Sequence, residues 1–293
     1  MTKEELERKV EVFVNASPMN YVSEEEALAP DCIGLKMYEP PIWGYGTADD
    51  KMFAEFQKKE AVGPQFLLPG QWLGEAKSVI SFFLPFTEQV KKSNGILKEE
   101  PSKEWLHARI EGQKFVMAVC RYIKELLEAD GMQCVIPAED SRFHSVTKSG
   151  HGQEDLWQGS SYTSNWSERH VAYLCGLGTF GLSKGLITEK GMAGRLGSLI
   201  VSGSFEPRKR EYTGIYDYCT RCGACVRRCP AKAISLEAGK DHEKCEAFLG
   251  KTKETYKTHM GCGKCQTRVP CESKIPRMSN RRTYPLTCLF DFR

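Results

Sequence analysis

The order of hydrophobic and polar positions predicts helices alternating with strands through the first part of the chain. Thr2 and Glu5 form a capping box that opens an amphipathic helix. Apolar residues recur at helical spacing from Ser102 to Ala129, and Asp130-Gly131 ends that long helix. Residues 16–75 are rich in proline, glycine and aromatics and are expected to be irregular with short helices. Apolar runs predict buried strands over residues 76–86, 134–136 and 196–202, so an α/β layered domain is expected.

A glycine-rich segment follows a predicted helix. Asn165 and Glu168 are a capping signal for that helix, which we expect to end at Gly176. The next residues match G-x-G-x-x-G, but a dinucleotide-binding motif follows a strand and opens a helix, whereas this one runs into a loop. The glycines predict positive φ angles and close approach of the backbone to a flat or bulky group, with a tight helix–strand connection as the alternative. The segment reads Gly176, Leu177, Gly178, Thr179, Phe180, Gly181.

Composition excludes several classes of protein. The 293 residues carry a net charge of only +3 with 41% hydrophobic residues, which fits neither a disordered chain nor one that coats nucleic acid. Residues 78–86 form the longest apolar stretch and are too few for a spanning helix, so no membrane segment is expected. The N-terminus does not resemble a secretory signal, and we expect a cytoplasmic location. Thirteen cysteines in a reducing compartment call for a metal.

The cysteines divide the chain in two. Residues 1–206 are expected to form the α/β domain, whose scattered cysteines we interpret as small buried hydrophobic residues: Cys32, Cys120, Cys134 and Cys175. Residues 207–293 begin at a basic stretch and hold the other nine cysteines. This concentration predicts a separate metal-binding domain at the C-terminal end.

The run CTRCGACVRRCP has the spacing C-x2-C-x2-C-x3-C-P of bacterial ferredoxins. In that pattern the first three cysteines bind one four-iron cluster and the fourth binds a second cluster. Structural zinc, the alternative, takes four ligands from paired C-x2-C units and needs neither the third cysteine nor the proline. The run therefore predicts [4Fe-4S] clusters in a ferredoxin-like domain.

The second cluster needs ligands from further along the chain. GCGKCQTRVPC departs from a second ferredoxin repeat because Arg268 stands where a third cysteine would fall. Cys271 is expected to be a ligand, although the lengthened spacing before it leaves open which cluster it joins, and Cys288 is expected to be structural. The assignment is Cys219, Cys222, Cys225 and Cys271 on one cluster, and Cys229, Cys245, Cys262 and Cys265 on the other.

Taken together, the glycine-rich segment AYLCGLGTFG, the strand at residues 196–202 and the cysteine pattern resemble the epoxyqueuosine reductases and the related reductive dehalogenases. The resemblance covers roughly residues 70–275. It implies an α+β chain: a nitroreductase-like domain that holds cobalamin, followed by a ferredoxin-like domain with two [4Fe-4S] clusters. Cobalamin would have no protein ligand on cobalt, and none of the six histidines stands in the D-x-H-x-x-G context that supplies one. The glycine-rich segment, residues 176–181, is the expected cofactor contact.

The resemblance also suggests a source of the proton. Epoxyqueuosine reductases place an aspartate where this chain has Tyr162, and reductive dehalogenases use a tyrosine. A phenol protonates an intermediate near neutral pH only if a neighbouring cation lowers its pKa, and Arg169 or Arg195 is expected to do so. Packing of Tyr162 at a loop edge is the alternative.

The predicted function is that of a cobalamin-dependent iron–sulfur oxidoreductase. Electrons from ferredoxin or flavodoxin would pass through two clusters to a base-off corrinoid and reduce a small molecule or modified nucleoside. Transfer RNA is a doubtful substrate, because the chain stops at Arg293 without a helical-repeat extension and its basic tail lacks aromatic residues. The alternative functions are an electron-transfer protein or an activator that reduces a partner's corrinoid; flavin is a minor alternative cofactor.

Overall fold

The computed structural model describes residues 1–146 and 162–277, so Cys288 and His151 lie outside the described residues. Within these ranges the helices are α1 (Lys3–Ala16), α2 (Met52–Glu55), α3 (Pro69–Trp72), α4 (Glu88–Ile96), α5 (Lys103–Ala129), α6 (Glu168–Leu174), α7 (Ala224–Arg228) and α8 (His242–Tyr256). The strands are β1 (Ile42–Thr47), β2 (Ser78–Pro85), β3 (Cys134–Val135), β4 (Ser145–Val146), β5 (Thr163–Ser164), β6 (Gly178–Phe180), β7 (Leu186–Thr188), β8 (Gly194–Val201), β9 (Ile234–Ser235) and β10 (Gly239–Lys240). None of these helices is long and apolar enough to cross a membrane.

A four-stranded antiparallel sheet in the order β1-β2-β8-β3 is the centre of the first part. Helices cover both of its faces. Alternate residues of β2 point to opposite sides, so that Ile80 and Phe82 pack towards α1 and α5, whereas Val79 and Phe83 pack towards α6. Every residue of β2 is buried, which explains why its sequence is apolar apart from Ser78 and Ser81.

The predicted elements of the first part are largely present, except that residues 42–47, expected to be irregular, form strand β1 of the central sheet. Thr2 caps α1 by accepting a hydrogen bond from the Glu5 amide, and Ser102 caps α5 in the same way through the Trp105 amide. The four cysteines outside the C-terminal concentration are all buried, as expected. The start of α6 was wrongly predicted: the helix begins after Ser167, and Asn165 instead bonds the backbone of Arg142 and His144.

Residues after β8 pack on the sheet before they reach the cysteine-rich part. Phe205 belongs to the same core as α1, and the Arg208 amide donates to the Tyr45 carbonyl of β1. Tyr212 is buried on the opposite face of the sheet, with its hydroxyl bonded to the Tyr173 carbonyl. Packing against the sheet therefore continues on both sides of position 206, the expected boundary between the two parts.

Candidate functional site

The eight cysteines assigned to clusters lie in two groups. Cys219, Cys222, Cys225 and Cys271 line one cavity of about 20 Å³, and we call them the first cysteine group. Cys229, Cys245, Cys262 and Cys265 line a larger cavity of about 430 Å³, and we call them the second cysteine group. Cys271 thus lies with the first three cysteines of the ferredoxin-like run, which is the grouping that the spacing assigns.

The sulfur atoms of the described cysteines are less tightly grouped than the four ligands of a single zinc ion. Four sulfurs around zinc lie about 2.3 Å from the metal, which puts them about 3.8 Å from one another. Among the described residues, no group of three cysteines has its sulfurs all within 4.8 Å of each other. The backbone N–H of Ala233 already donates to Cys229 Sγ at 3.3 Å, the kind of bond that tunes cluster sulfurs.

Burial raises the pKa of several of these thiols. Burial, with a smaller contribution from neighbouring cysteines, raises the pKa of Cys225, Cys262 and Cys271 to about 12. Crowded thiols of high pKa are poor free nucleophiles, whereas a bound metal deprotonates a coordinating thiol outright. The arrangement suits metal ligation rather than thiol catalysis.

The larger cavity lies between the two parts of the chain and takes its walls from both. Its volume of about 430 Å³ lies in the range of small-molecule and cofactor pockets. No histidine is among the described residues that line it. Apolar and aromatic side chains supply much of the wall, among them Phe83, Phe86, Trp105, Trp166, Leu196 and Phe248.

Three arginines line the same cavity. Burial lowers the pKa of Arg109 to about 10 and also lowers that of Arg169, and the charge of Arg195 adds to both effects. Arg169 is nevertheless exposed to solvent, because the cavity that it lines is open. The charge of Cys245 raises the pKa of both Arg109 and Arg169. Positive charge therefore lies beside the second cysteine group. The cavity therefore favours a ligand that carries negative charge.

Glu168 adds a carboxyl group to the cavity wall. Its Oε2 is shielded from solvent and has no hydrogen-bond partner. The Ser198 hydroxyl, which accepts a hydrogen bond from Trp166 Nε1 at 2.9 Å, bonds the carboxyl group and lowers its pKa. Burial outweighs this bond and raises the pKa of Glu168 to about 7. Glu168 is thus about half protonated at neutral pH and can both hold and release a proton.

Tyr162 has surroundings different from those expected of a proton donor. Its hydroxyl donates to Glu246 Oε2 at 2.6 Å, and its ring stacks on His242 of α8 with centroids 5.1 Å apart. Burial and the Glu246 carboxylate both raise the pKa of the phenol. Neither expected cation is among the groups that shift this pKa: Arg169 and Arg195 line the cavity, and Arg195 donates to the Arg109 carbonyl at 3.2 Å.

The glycine-rich segment lies outside the larger cavity. Its close neighbours are protein atoms: a Cβ on Gly178 would lie 2.0 Å from the Ile187 carbonyl oxygen of β7, and one on Gly176 would lie 3.1 Å from Arg208. Only Gly176 of its three glycines has a positive φ angle. Instead of a loop, residues 178–180 form β6, paired with β7. The segment is a tight helix–strand connection, the alternative weighed above.

Buried polar contacts fix the second cysteine group to the first part of the chain. Asn94 of α4 donates to the Cys262 carbonyl at 3.1 Å and to Thr267 Oγ1 at 3.2 Å. The fully buried Lys264 ammonium donates to the carbonyl and side-chain oxygens of Asn94 at 2.8 and 2.9 Å. Trp105 packs directly against Gly263, where a Cβ would lie 2.0 Å from the ring.

A buried cluster of two histidines and a glutamate forms a second connection between the two parts. His107 Nε2 accepts from the Leu28 amide at 2.9 Å, so Nδ1 carries the proton and donates to Glu111 Oε2 at 2.9 Å. His259 Nε2 lies 3.0 Å from the same oxygen. Because His107 has no free lone pair, we interpret the cluster as a hydrogen-bond network, not a metal site.

Sequence reasoning missed two residues of the cavity. Arg109 lies within the amphipathic helix predicted from Ser102 to Ala129, and Glu168 belongs to the predicted capping signal. The one available signal is the charged pair Glu168-Arg169 at the start of an otherwise apolar helix. Their convergence on the cysteines depends on how the two parts pack, which local patterns do not encode.

Comparison with known proteins places these features in context. The model of the 4Fe-4S binding domain matches residues 212–235, which include the first four cysteines of the ferredoxin-like run. Epoxyqueuosine reductase of Staphylococcus aureus is 34% identical over 114 residues, covering 36% of this chain and 29% of that protein. In this match the chain therefore spans less than a third of its relative.

Two solved structures extend the likeness to the whole fold. A crystal structure of epoxyqueuosine reductase superposes with a TM-score of 0.51 at 16% identity, covering 94% of this chain and 68% of that one. A catabolic reductive dehalogenase in complex with 3-bromo-4-hydroxybenzoic acid gives 0.50 at 15% identity, covering 93% and 37%. The chain has a 4Fe-4S binding domain, resembles an epoxyqueuosine reductase in sequence and shares the fold of epoxyqueuosine reductases and reductive dehalogenases.

Proposed function

We propose that the chain is a cobalamin-dependent iron–sulfur reductase that uses two [4Fe-4S] clusters. In this proposal residues 1–206 form a nitroreductase-like domain for the corrinoid and the substrate, and residues 207–293 form a ferredoxin-like domain. One observation carries it: a cofactor-sized cavity with arginines and a proton-bearing carboxyl opens onto four cysteines of the ferredoxin-like part. Electrons would come from a ferredoxin or flavodoxin, and the substrate would be a small molecule or a modified nucleoside.

The residues present fit these groups. Each cysteine group supplies four thiolates, the number that one [4Fe-4S] cluster takes. The larger cavity combines flat apolar walls with cations beside Gln113, which suits a macrocycle with amide and phosphate substituents. A base-off corrinoid supplies a strongly reducing cobalt centre when it is bound.

The chain's own residues have distinct roles in this scheme. The second cysteine group holds its cluster at the cavity wall, and the first group holds the cluster further from the cavity. Arg109, Arg169 and Arg195 stabilise negative charge in the cavity. Glu168 Oε2, rather than the Tyr162 hydroxyl, holds the proton that the reduced substrate takes up, because its pKa lies near neutrality.

The alternative function is electron transfer without a substrate, or reduction of a partner's corrinoid. One observation favours it: protein atoms pack closely against the glycine-rich segment, so no cofactor space opens there. The larger cavity beside the second cysteine group favours the reductase instead.

Anaerobic reconstitution tests the two functions together. We expect about eight iron and eight sulfide per chain, and retention of added hydroxocobalamin through gel filtration with a corrinoid visible spectrum. Arg169→Gln should weaken retention, whereas Arg121→Gln, an exposed arginine paired with Glu139, should not. Iron and sulfide without retained corrinoid would support the electron carrier, and a chain that binds neither metal nor corrinoid would refute both functions.

A second experiment tests the proton source. Glu168→Gln should abolish the pH-dependent limb near 7 in the rate of the loaded enzyme, and Tyr162→Phe should leave that limb in place. If Tyr162→Phe abolishes the pH dependence near 7 and Glu168→Gln does not, Tyr162 is the proton donor instead.

A further inference from the structure

Cys222 is the most accessible residue of the two cysteine groups. Among the eight assigned ligands it alone is exposed, and the others are partly buried. Electron tunnelling weakens steeply with distance, so an electron from another protein enters most easily where a ligand reaches the surface. A donor that approaches this point meets the first cysteine group before the second.

The surface around Cys222 is basic. Residues 219–236 contain four basic residues and no aspartate or glutamate. Arg228 points inward and donates to the Gly95 carbonyl at 3.3 Å, but the other three are exposed: Arg221, Arg227 and Lys232. The nearest carboxylates on either side of this segment are Asp217 and Glu237.

Contacts hold two arginines and one apolar side chain beside Cys222. Arg227 Nη1 donates to the Cys222 carbonyl at 3.2 Å, and Arg221 donates to the carbonyl of Leu236. A Cβ on Gly223 would lie 3.3 Å from Arg227 Nη1 and 3.8 Å from Leu236 Cδ2, so Gly223 lies between them. Leu236 is 37% exposed. We call Arg221, Cys222, Arg227 and Leu236 the Cys222 patch.

We infer that the Cys222 patch is the docking surface for an acidic one-electron carrier protein. This inference rests on the proposed function only in requiring that the first cysteine group hold a cluster. The reduced carrier loses one electron and the oxidised cluster gains it; no bond forms or breaks and no proton moves. Cations around a small apolar centre are typical of a transient protein–protein interface. In such an interface opposite charges guide the partner to the surface, and a small buried area lets the partner dissociate rapidly.

A basic patch also attracts nucleic acid, and the composition of this patch argues for the carrier. Binding to single-stranded RNA typically uses aromatic side chains on which bases stack, whereas the Cys222 patch offers an aliphatic leucine and a cluster ligand. RNA binding is therefore the competing outcome in the test.

The test compares rates of cluster reduction in the reconstituted full chain. Arg221→Glu/Arg227→Glu is mixed with a reduced acidic ferredoxin in a stopped-flow instrument, and bleaching of the visible cluster absorption is followed. We expect the second-order rate at low salt to fall at least about tenfold, with the difference shrinking at high salt, because steering is screened. Lys124→Glu, whose partner is Glu128 on the same helix, is the matched control and should change the rate less than about twofold.

Photoreduction with a small deazaflavin separates docking from cluster damage. The double variant should bleach at the wild-type rate with this reductant, because no protein needs to dock. Equal rates with ferredoxin at low salt would overturn the docking surface and leave the proposed function intact. Loss of transfer RNA binding with unchanged ferredoxin kinetics would also overturn it, in favour of RNA. A chain that assembles no cluster would overturn both proposals.

Discussion

Glu168→Gln removes a carboxyl group whose ionisation opposes folding at neutral and alkaline pH. Burial raises the pKa of Glu168 from 4.5 to about 7. Below pH 4.5 both the folded and the unfolded chain carry the proton, so the group does not affect stability. Between pH 4.5 and 7 the unfolded chain releases the proton and the folded chain keeps it, and stability falls as pH rises. Glutamine has a similar shape and no such dependence.

The magnitude follows from the shift. A change of about 2.5 pKa units at about 1.36 kcal/mol each gives about 3.4 kcal/mol across the full range. Iron–sulfur clusters are lost in acid, so the useful window is pH 6 to 8.5. In that window the difference between wild type and Glu168→Gln should grow by about 1.4 kcal/mol in favour of the variant, a melting shift of about 2 °C for a chain of this size.

The assay is thermal unfolding of the reconstituted chain at several pH values, followed by circular dichroism. Glu24→Gln, at an exposed position before the first strand, removes the same charge and serves as the control. Infrared difference spectroscopy gives a second readout, since the protonated carboxyl has a carbonyl stretch that the variant lacks. A wild-type-to-variant difference that stays constant from pH 6 to 8.5 would refute the assignment of a neutral carboxyl in the cavity.

Three further predictions concern the metal groups and the framework. Cys245→Ala should lower bound iron from about eight to about four per chain, whereas alanine at a buried cysteine outside both groups should leave it unchanged. Asn94→Ala keeps the backbone carbonyl but removes the side-chain oxygen that accepts from the buried Lys264 ammonium, and should destabilise the chain by about 1–3 kcal/mol in thermal unfolding; adding Lys264→Met should recover part of this loss, and no recovery would contradict the role of the pair. Gly178→Ala should cost about 3 kcal/mol from its clash with β7, and Gly70→Ala, with open space around it, should melt near wild type.

Local patterns predicted the elements that depend on local chemistry. The capped start of α5 and its helical spacing over residues 103–129 are decided by side chains within a few turns of each other. The sequence spacing of Cys219, Cys222 and Cys225 likewise reflects local geometry, and these residues do lie together. In contrast, the glycines of residues 176–181 fit two interpretations, because the atoms that approach them belong to β7 and Arg208, distant in sequence.

The candidate site was less predictable because its parts come from distant segments. Asn165 and Glu168 form a local capping pattern in the sequence. In the structure Asn165 donates to the Arg142 carbonyl, and Glu168 lines the cavity. The proton-donor role expected of Tyr162 required a cation, and tertiary packing supplies Glu246 instead. Such electrostatic partners are set by the packing of α8 against the first part of the chain.

The contact of Asn94 and Lys264 has a consequence for assembly. The segment that carries Cys262 and Cys265 is held against α4 by these buried bonds, and the same segment forms one wall of the larger cavity. A cluster on the proposed four thiolates would stabilise the arrangement in which Cys229 and Cys245 line the cavity together with this segment. If the proposed cluster binds there, loading of iron and sulfide would also hold the cavity in shape, and we expect a ligand of that cavity to bind more tightly after the metal.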